Sequence, residues 1–200
     1  MNSEIEKVLS SNEKIIWEGK PQAFPYLVSK FVFLFVFFVL YSSVTYNPDT
    51  QNYENAGPFA IMLGIFLFIV LFIYNFLFYK KIHYAITDKR VILQKGIIGT
   101  DFESVDFDKI NSIKIDIGII DKVLGKNSGT IMLDSGRTKS TRDSNGYSTV
   151  VTDYHQLQFI DDAYNVFEKL KTVSTDVKAD IKFPNALRPG NNPGYKTEIK

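Results

Sequence analysis

The chain has 200 residues, no cysteine, and 23 Lys and Arg against 22 Asp and Glu, a formal net charge of +1. Disulfides, thiolate metal sites and a cysteine nucleophile are thereby excluded, and so balanced a charge gives no bulk electrostatic reason to expect nucleic acid or an acidic substrate as partner. Mean hydropathy is close to zero, but that average conceals two crowded apolar blocks.

Residues 1–25 are mostly polar and read as a cytoplasmic N-terminal segment. The first apolar block runs from Tyr26 to Tyr46, with only Phe31 to Tyr41 unbroken. Lys30 can return its ammonium to lipid headgroups while its stem stays apolar, and Ser42, Ser43 and Thr45 can bond to the preceding turn. A crossing helix over 26–46 is therefore expected, with a buried strand as the alternative. Neither block reads as a cleaved signal peptide, because a polar, acid-containing segment precedes the first and no small-residue cleavage site follows it.

The linker 47–58, "NPDTQNYENAGP", carries Asp49 and Glu54 but no Lys or Arg. The second block, Phe59 to Tyr79, is uncharged, and a helix of about 20 residues crosses a bilayer core of about 30 Å. Lys14 and Lys20 precede the pair of blocks and Lys30 precedes the unbroken run of the first, while Lys80, Lys81, Lys89 and Arg90 follow the second. Retention of positive residues on the cytoplasmic side predicts a multi-pass cell-membrane protein with a helical hairpin over 26–80, both termini cytoplasmic and the linker outside. Ala60 and Gly64 would let helices approach closely and Asn75 would bond across to a neighbour; a homo-oligomer formed through the hairpin stays open. Neither block carries the buried acids or broken helices of a transport path.

From Ile82 the pattern has period two. Ile82, Tyr84 and Ile86 alternate with His83, Ala85 and Thr87, a turn follows at "TDKR", and Val91 and Leu93 return, which reads as a hairpin. Further strands are expected over Thr100 to Phe107, around Ile113 to Ile117, at "TIMLD" after a loop "GKNSG", and from roughly Tyr147 to Ile160. Asp161 or Asp162 can cap a helix whose Ala163, Val166, Phe167, Leu170 and Val173 share one face. Residues 174–200, rich in Pro, Gly, Asn and Lys, read as an extended or mobile tail.

The lead "NEKIIWEGKPQ", the hydrophobic pair, "YAITDKRVILQKGIIG", "GKNSGTIML" and "IDDAYNVFEKL" together resemble the bacterial PH-like, membrane-flanked proteins over about Asn12 to Val173. The Tyr-x-x-Thr-Asp-x-Arg core, here Tyr84, Thr87, Asp88 and Arg90, is the most specific part. The resemblance implies an α+β chain: a two-helix transmembrane hairpin, then over 81–173 a PH-like antiparallel β-sandwich or barrel capped by a C-terminal helix. It implies no activity. The polar insertion 135–148 departs from the family pattern.

Signals for chemistry are sparse. His83 and His155 lie in predicted strands with no third ligand at a metal-binding spacing, and Asp101 and Glu103 alternate onto what reads as one solvated face, with Asp106 and Asp108 nearby. "TRDSNG" lacks the first and last acids of a calcium loop. No phosphate loop, nucleophile elbow or zinc helix occurs; catalytic residues, metal and cofactors are therefore expected to be none. Lys80, Lys81, Lys89, Arg90 and Lys95 form the candidate surface for an anionic headgroup or partner; Arg137, Lys139 and Arg142 would add a basic flap, diluted by Asp134 and Asp143. The expectation is a non-enzymatic membrane-anchored module whose cytoplasmic domain meets a protein partner or the inner leaflet. Anionic-lipid sensing or an envelope-stress accessory role is the alternative, and a membrane-surface enzyme the third.

Overall fold

The computed structural model describes residues 4–32, 46–47, 52–53, 57–96, 99–124, 127–142 and 146–182. A 3₁₀ turn at Ile5–Val8 leads to β1, Ile15–Gly19, then helix α1, Ala23–Val32, and two-residue strands β2, Tyr46–Asn47, and β3, Asn52–Tyr53. Helix α2, Gly57–Lys81, runs into β4, His83–Thr87, β5, Arg90–Lys95, and β6, Asp101–Asp106. The second half comprises β7, Ser112–Asp116, α3, Ile119–Leu124, β8, Gly129–Asp134, β9, Thr138–Arg142, β10, Ser148–Thr152, β11, His155–Ile160, and α4, Ala163–Lys182. The protein is thus α+β, with antiparallel sheets and a C-terminal helix.

One sheet has the order β1-β4-β5-β6 and the other β11-β8-β7; β9 and β10 form a separate ladder. Between the sheets lies the main core, with Tyr84, Ile86, Val91, Leu93 and Val105 from one side and Ile131, Leu133, Leu157 and Ile160 from the other. Helix α4 closes it with Val166, Leu170 and Val173, the stripe its spacing predicts. β8 shows the alternation in its simplest form, Gly129, Ile131 and Leu133 buried and Thr130, Met132 and Asp134 half-exposed.

β4 is instead buried along its whole length. Its outward residue Ala85 and the adjacent Ile92 are covered by Ile5, with Val8 and Leu9 packed around them. A bulge between Ile15 and Trp17 breaks the β1–β4 register, so that Ile16 and Trp17 both pack on the main core while Ile15 joins the outer cluster. Gly19 is required beside it, because a Cβ there would enter the Trp17 ring.

The motif residues knot this lead to the first hairpin. Thr87 Oγ1 donates to Glu13 Oε1 at 2.8 Å, Arg90 Nε donates to the same oxygen at 3.0 Å, and Arg90 Nη2 donates to Glu13 Oε2 at 2.9 Å and to the Val8 carbonyl at 2.9 Å. Asp88 and Lys14 add a reciprocal pair: Lys14 N–H donates to Asp88 Oδ1 and Asp88 N–H to the Lys14 carbonyl. The Glu13 side chain is fully buried. Burial opposes its ionisation, but hydrogen bonds from Arg90, the Ser10 N–H and Thr87 outweigh that penalty and hold the carboxyl at about 2.

Helix α1 packs antiparallel on α2. Tyr26 meets Tyr79 at 5.7 Å between ring centroids, and Phe31 meets Phe72 at 5.4 Å and Phe68 at 5.3 Å. The stretch Met62–Lys81 is long and apolar enough to cross a membrane, and from Met62 to Leu77 it is mostly exposed, Tyr79 near its end being buried. It is the one such helix among the described residues, so the second crossing of the expected hairpin is not established; most of the first block, 33–45, lies outside them.

Other expectations change in detail. The segment 1–25, read as a cytoplasmic N-terminal segment, contributes β1 to a sheet through its pairing with β4. Tyr46, expected to end a helix, is in a two-residue strand. Short helix α3 occupies a stretch to which the sequence reading assigns no element, and Asp121 Oδ2 accepts the Gly118 N–H at its start. The single strand expected from Tyr147 to Ile160 divides at Asp153–Tyr154 into β10 and β11. The domain does not stop at Val173, because α4 stays helical to Lys182; the remainder of the expected tail lies outside the described residues.

Replacement of Glu13 by Ala strands a partly buried guanidinium and should lower stability by about 3 kcal/mol, read from chemical denaturation of the full-length protein in detergent. The folded-state pKa lies below the ordinary 4.5, so the stabilisation is complete above that value and fades as pH falls toward 2. The gap between wild-type and Glu13→Ala stability should therefore narrow over that interval; a gap independent of pH would show that ionised Glu13 is not its source.

Candidate ligand cleft

A cleft of about 320 Å³ lies where α1 and α2 join the domain, lined by both helices and both sheets. Its helical wall is Tyr26, Lys30, Phe78 and Ile82. Tyr84, Lys95 and Glu103 line it from the first sheet, and Gln156 and Gln158 from β11 of the second. Arg137, Asp153 and Tyr154, at the root of the β9–β10 ladder, complete it.

Register explains how these groups meet. Leu93 stands opposite Glu103, and Lys95 opposite Asp101, so Glu103 shares the inward face with Leu93 and Val105. Alternation correctly groups Asp101 with Glu103, but the face is the inner one, at the end that carries the cleft. Glu103 consequently finds partners on the opposite sheet.

Arg137 bridges, with Nη1 2.7 Å from Glu103 Oε1 and Nη2 2.7 Å from Asp153 Oδ2. Lys95 Nζ stands 3.4 Å from Glu103 Oε2, and Lys139 Nζ 3.4 Å from Asp153 Oδ1. His155, buried, places Nδ1 3.0 Å from Glu103 Oε1 and Nε2 2.9 Å from Ser135 Oγ. Burial of Glu103 resists its charge, yet the Arg137 hydrogen bond and the charge of Lys95 prevail and hold its carboxyl below the ordinary value. Burial drives the Tyr84 hydroxyl well above the phenol range, so it stays neutral and accepts the Gln158 N–H at 3.2 Å. Lys30 Nζ lies 5.4 Å from the Tyr26 ring centroid.

A β-bulge seats the helices on this end. β11 shifts register between Leu157 and Ile160, and Phe159 there adopts a φ of 50°. Its carbonyl accepts the Gln22 N–H at 2.7 Å, and its ring meets Tyr26 edge-on at 6.3 Å.

The five basic residues grouped by sequence do not form one surface. Lys80 and Lys81 are exposed at the end of α2, Lys80 lying 4.7 Å from the Phe76 ring, and Lys95 lines the cleft. Lys89 and Arg90 sit at the other end of β4, because a strand leaving α2 carries its turn away from the helix, and Arg90 is committed to Glu13. Asn75 donates to Leu71 O at 2.8 Å in its own helix. Gly64 lies on α2; the side chain of Ala60 is outside the described set. The basic flap is a real hairpin, exposed on both faces, but Arg137 and Lys139 are tied to Asp153. Among the described residues no three His, Asp or Glu side chains gather to hold a metal ion.

The family model for the bacterial PH domain matches residues 31–164. The chain belongs to the bacterial PH domain family. The matched span takes in α2 and every strand from β4 to β11, whereas β1 and most of α4 of this PH domain lie outside it. Neither a curated protein nor a solved structure matches the chain.

Arg137→Ala should cut the β9–β10 hairpin loose at its root. Amide exchange of residues 138–142 and 148–152 should accelerate several-fold while the global melting temperature hardly moves, since such surface pairs contribute little to global stability. Lowered pKa values at Glu103 and Asp153 mean that the clamp is intact at neutral pH and releases as acid protonates both groups. Unchanged exchange in the variant would show that the hairpin does not depend on Arg137.

Proposed function

We propose that this protein is a membrane-anchored recognition module that works without catalysis and presents the cleft end of its PH domain at the inner leaflet. The observation that carries the reading is α2. It is apolar on every side, its residues from Met62 to Leu77 are mostly exposed, and only Ile82 separates it from a fully buried strand. In water such a surface would be unfavourable by tens of kcal/mol at about 25 cal/mol per Å²; in lipid the penalty vanishes.

The β1–β4 pairing supports a two-crossing topology. These strands flank the two apolar blocks and hydrogen-bond to each other, so both lie on one side of any membrane that α2 enters. An even number of crossings follows, and the cationic Lys80 and Lys81 favour the cytoplasmic side. Because Tyr79 and Ile82 are built into the main core, the anchor and the domain form a rigid unit with the cleft against the headgroups. A recognition role is supported by the cleft's chemistry: its carboxylates are already neutralised by neighbouring cations, an arrangement that holds a polar surface rather than one that frees a base. The exposed β9–β10 ribbon favours a protein contact, since an isolated two-stranded hairpin is marginal in water.

The natural absence of cysteine makes each introduced thiol unique. Full-length protein should resist alkaline extraction from membranes; a thiol at Gln51→Cys should react with an impermeant reagent from outside, and one at Glu168→Cys only after permeabilisation. Ile69→Arg, which adds about 3 kcal/mol to insertion, should reduce membrane retention. Release of the wild-type chain by alkali, or equal labelling of both thiols, would overturn the reading.

A further inference from the structure

The charge pattern of the cleft narrows what it can recognise. Lys95, Glu103, Arg137 and Asp153 alternate in sign along a connected chain of contacts, with Lys30 facing the same space from α1. Lys30 is exposed, and its interaction in the structure is with the face of Tyr26. The cleft therefore offers a surplus cation beside carboxylates that retain acceptor capacity: among the described residues Glu103 Oε2 has only Lys95, at a long 3.4 Å, and each ionised carboxylate presents about four lone-pair sites.

A purely anionic group would meet Lys30 favourably but would also face Glu103 and Asp153. A group holding a phosphate next to an ammonium meets no such conflict. We propose that the cleft binds the zwitterionic headgroup of an amine-bearing phospholipid, phosphate toward Lys30 and ammonium toward Glu103.

Size and position agree. About 320 Å³ lies at the small end of the range of ligand sites, roughly 300–1,000 Å³, room for a headgroup rather than an acyl chain. Phe78 and Ile82 line the cleft and belong to the exit of α2, so a lipid seated there has an apolar helix beside it for its tails. The inference rests on the membrane-anchored reading. It differs from simple attraction to an anionic surface, because it requires the carboxylates as well as the lysines.

The test is native mass spectrometry of the full-length protein released from nanodiscs of equal phosphatidylethanolamine and phosphatidylglycerol. Wild-type protein should retain one phosphatidylethanolamine several-fold over phosphatidylglycerol. Glu103→Gln should abolish that preference, and Lys30→Gln, at an exposed helix position whose contact is with the Tyr26 ring of its own helix, should lower retention of both lipids, each variant being checked by thermal melting. Soluble glycerophosphoethanolamine separates the sources: displacement of the lipid assigns the site to the headgroup chemistry in free or membrane form, and resistance assigns it to the membrane lipid. Equal retention of the two lipids, a preference for phosphatidylglycerol, or a preference that survives both substitutions would overturn the proposal. If alkaline extraction still shows an integral protein, only this inference falls.

Discussion

A buried carboxylate holds together two parts of the chain that the apolar blocks keep apart. Glu13 lies ahead of both blocks and Arg90 beyond them, yet their side chains meet at 2.9 Å, with Thr87 and the Val8 carbonyl completing the network. A paired, hydrogen-bonded charge in such a place is tolerated because all its partners are present, and removal of one leaves the others stranded. β1 can then add to β4, the outer face of β4 is covered by Ile5 and its neighbours, and the strand following the anchor becomes a buried one.

From that constraint the position of the cleft follows. α1 leaves directly from β1 and α2 arrives directly at β4, so the two helices must emerge side by side, as their Tyr26–Tyr79 and Phe31–Phe72 contacts show. The bulge at Phe159 turns a carbonyl and a ring toward them. Charged side chains on the inward faces of the sheets at that end are too far from the packed centre to be replaced by apolar ones and close enough to pair across the gap. Lys95, Glu103, Arg137 and Asp153 gather there for this reason, and the exposed β9–β10 ribbon grows from the same point.

Much of the architecture was legible because it rests on local periodicity. The second apolar block, the hairpin at β4–β5, the alternation of β8 and the stripe of α4 all depend on spacing within one element. The Tyr84, Thr87, Asp88 and Arg90 motif was visible as a pattern, but its purpose was not, since the partner Glu13 is more than seventy residues away. The same distance hid the cleft. Arg137 and Glu103 are separated by 34 positions, and no short-range signal joins them; Arg137 could be seen only as part of a polar insertion. Helix α3 was too short to show a period, and the break between β10 and β11 carries no Pro or Gly to mark it.

By itself the sequence determined that a long uncharged apolar segment runs into a β-rich, helix-capped domain with two lysines at the junction, and that this domain resembles a family whose model the chain matches. These depend on composition, period and pattern, which are properties of contiguous residues. The tertiary structure alone decided that the N-terminal lead is a strand of the domain, that Lys89 and Arg90 lie away from Lys80 and Lys81, and that Glu103 faces inward. Each of these depends on which strand pairs with which and in what register, and pairing between distant segments is set by side-chain contacts that no local window contains.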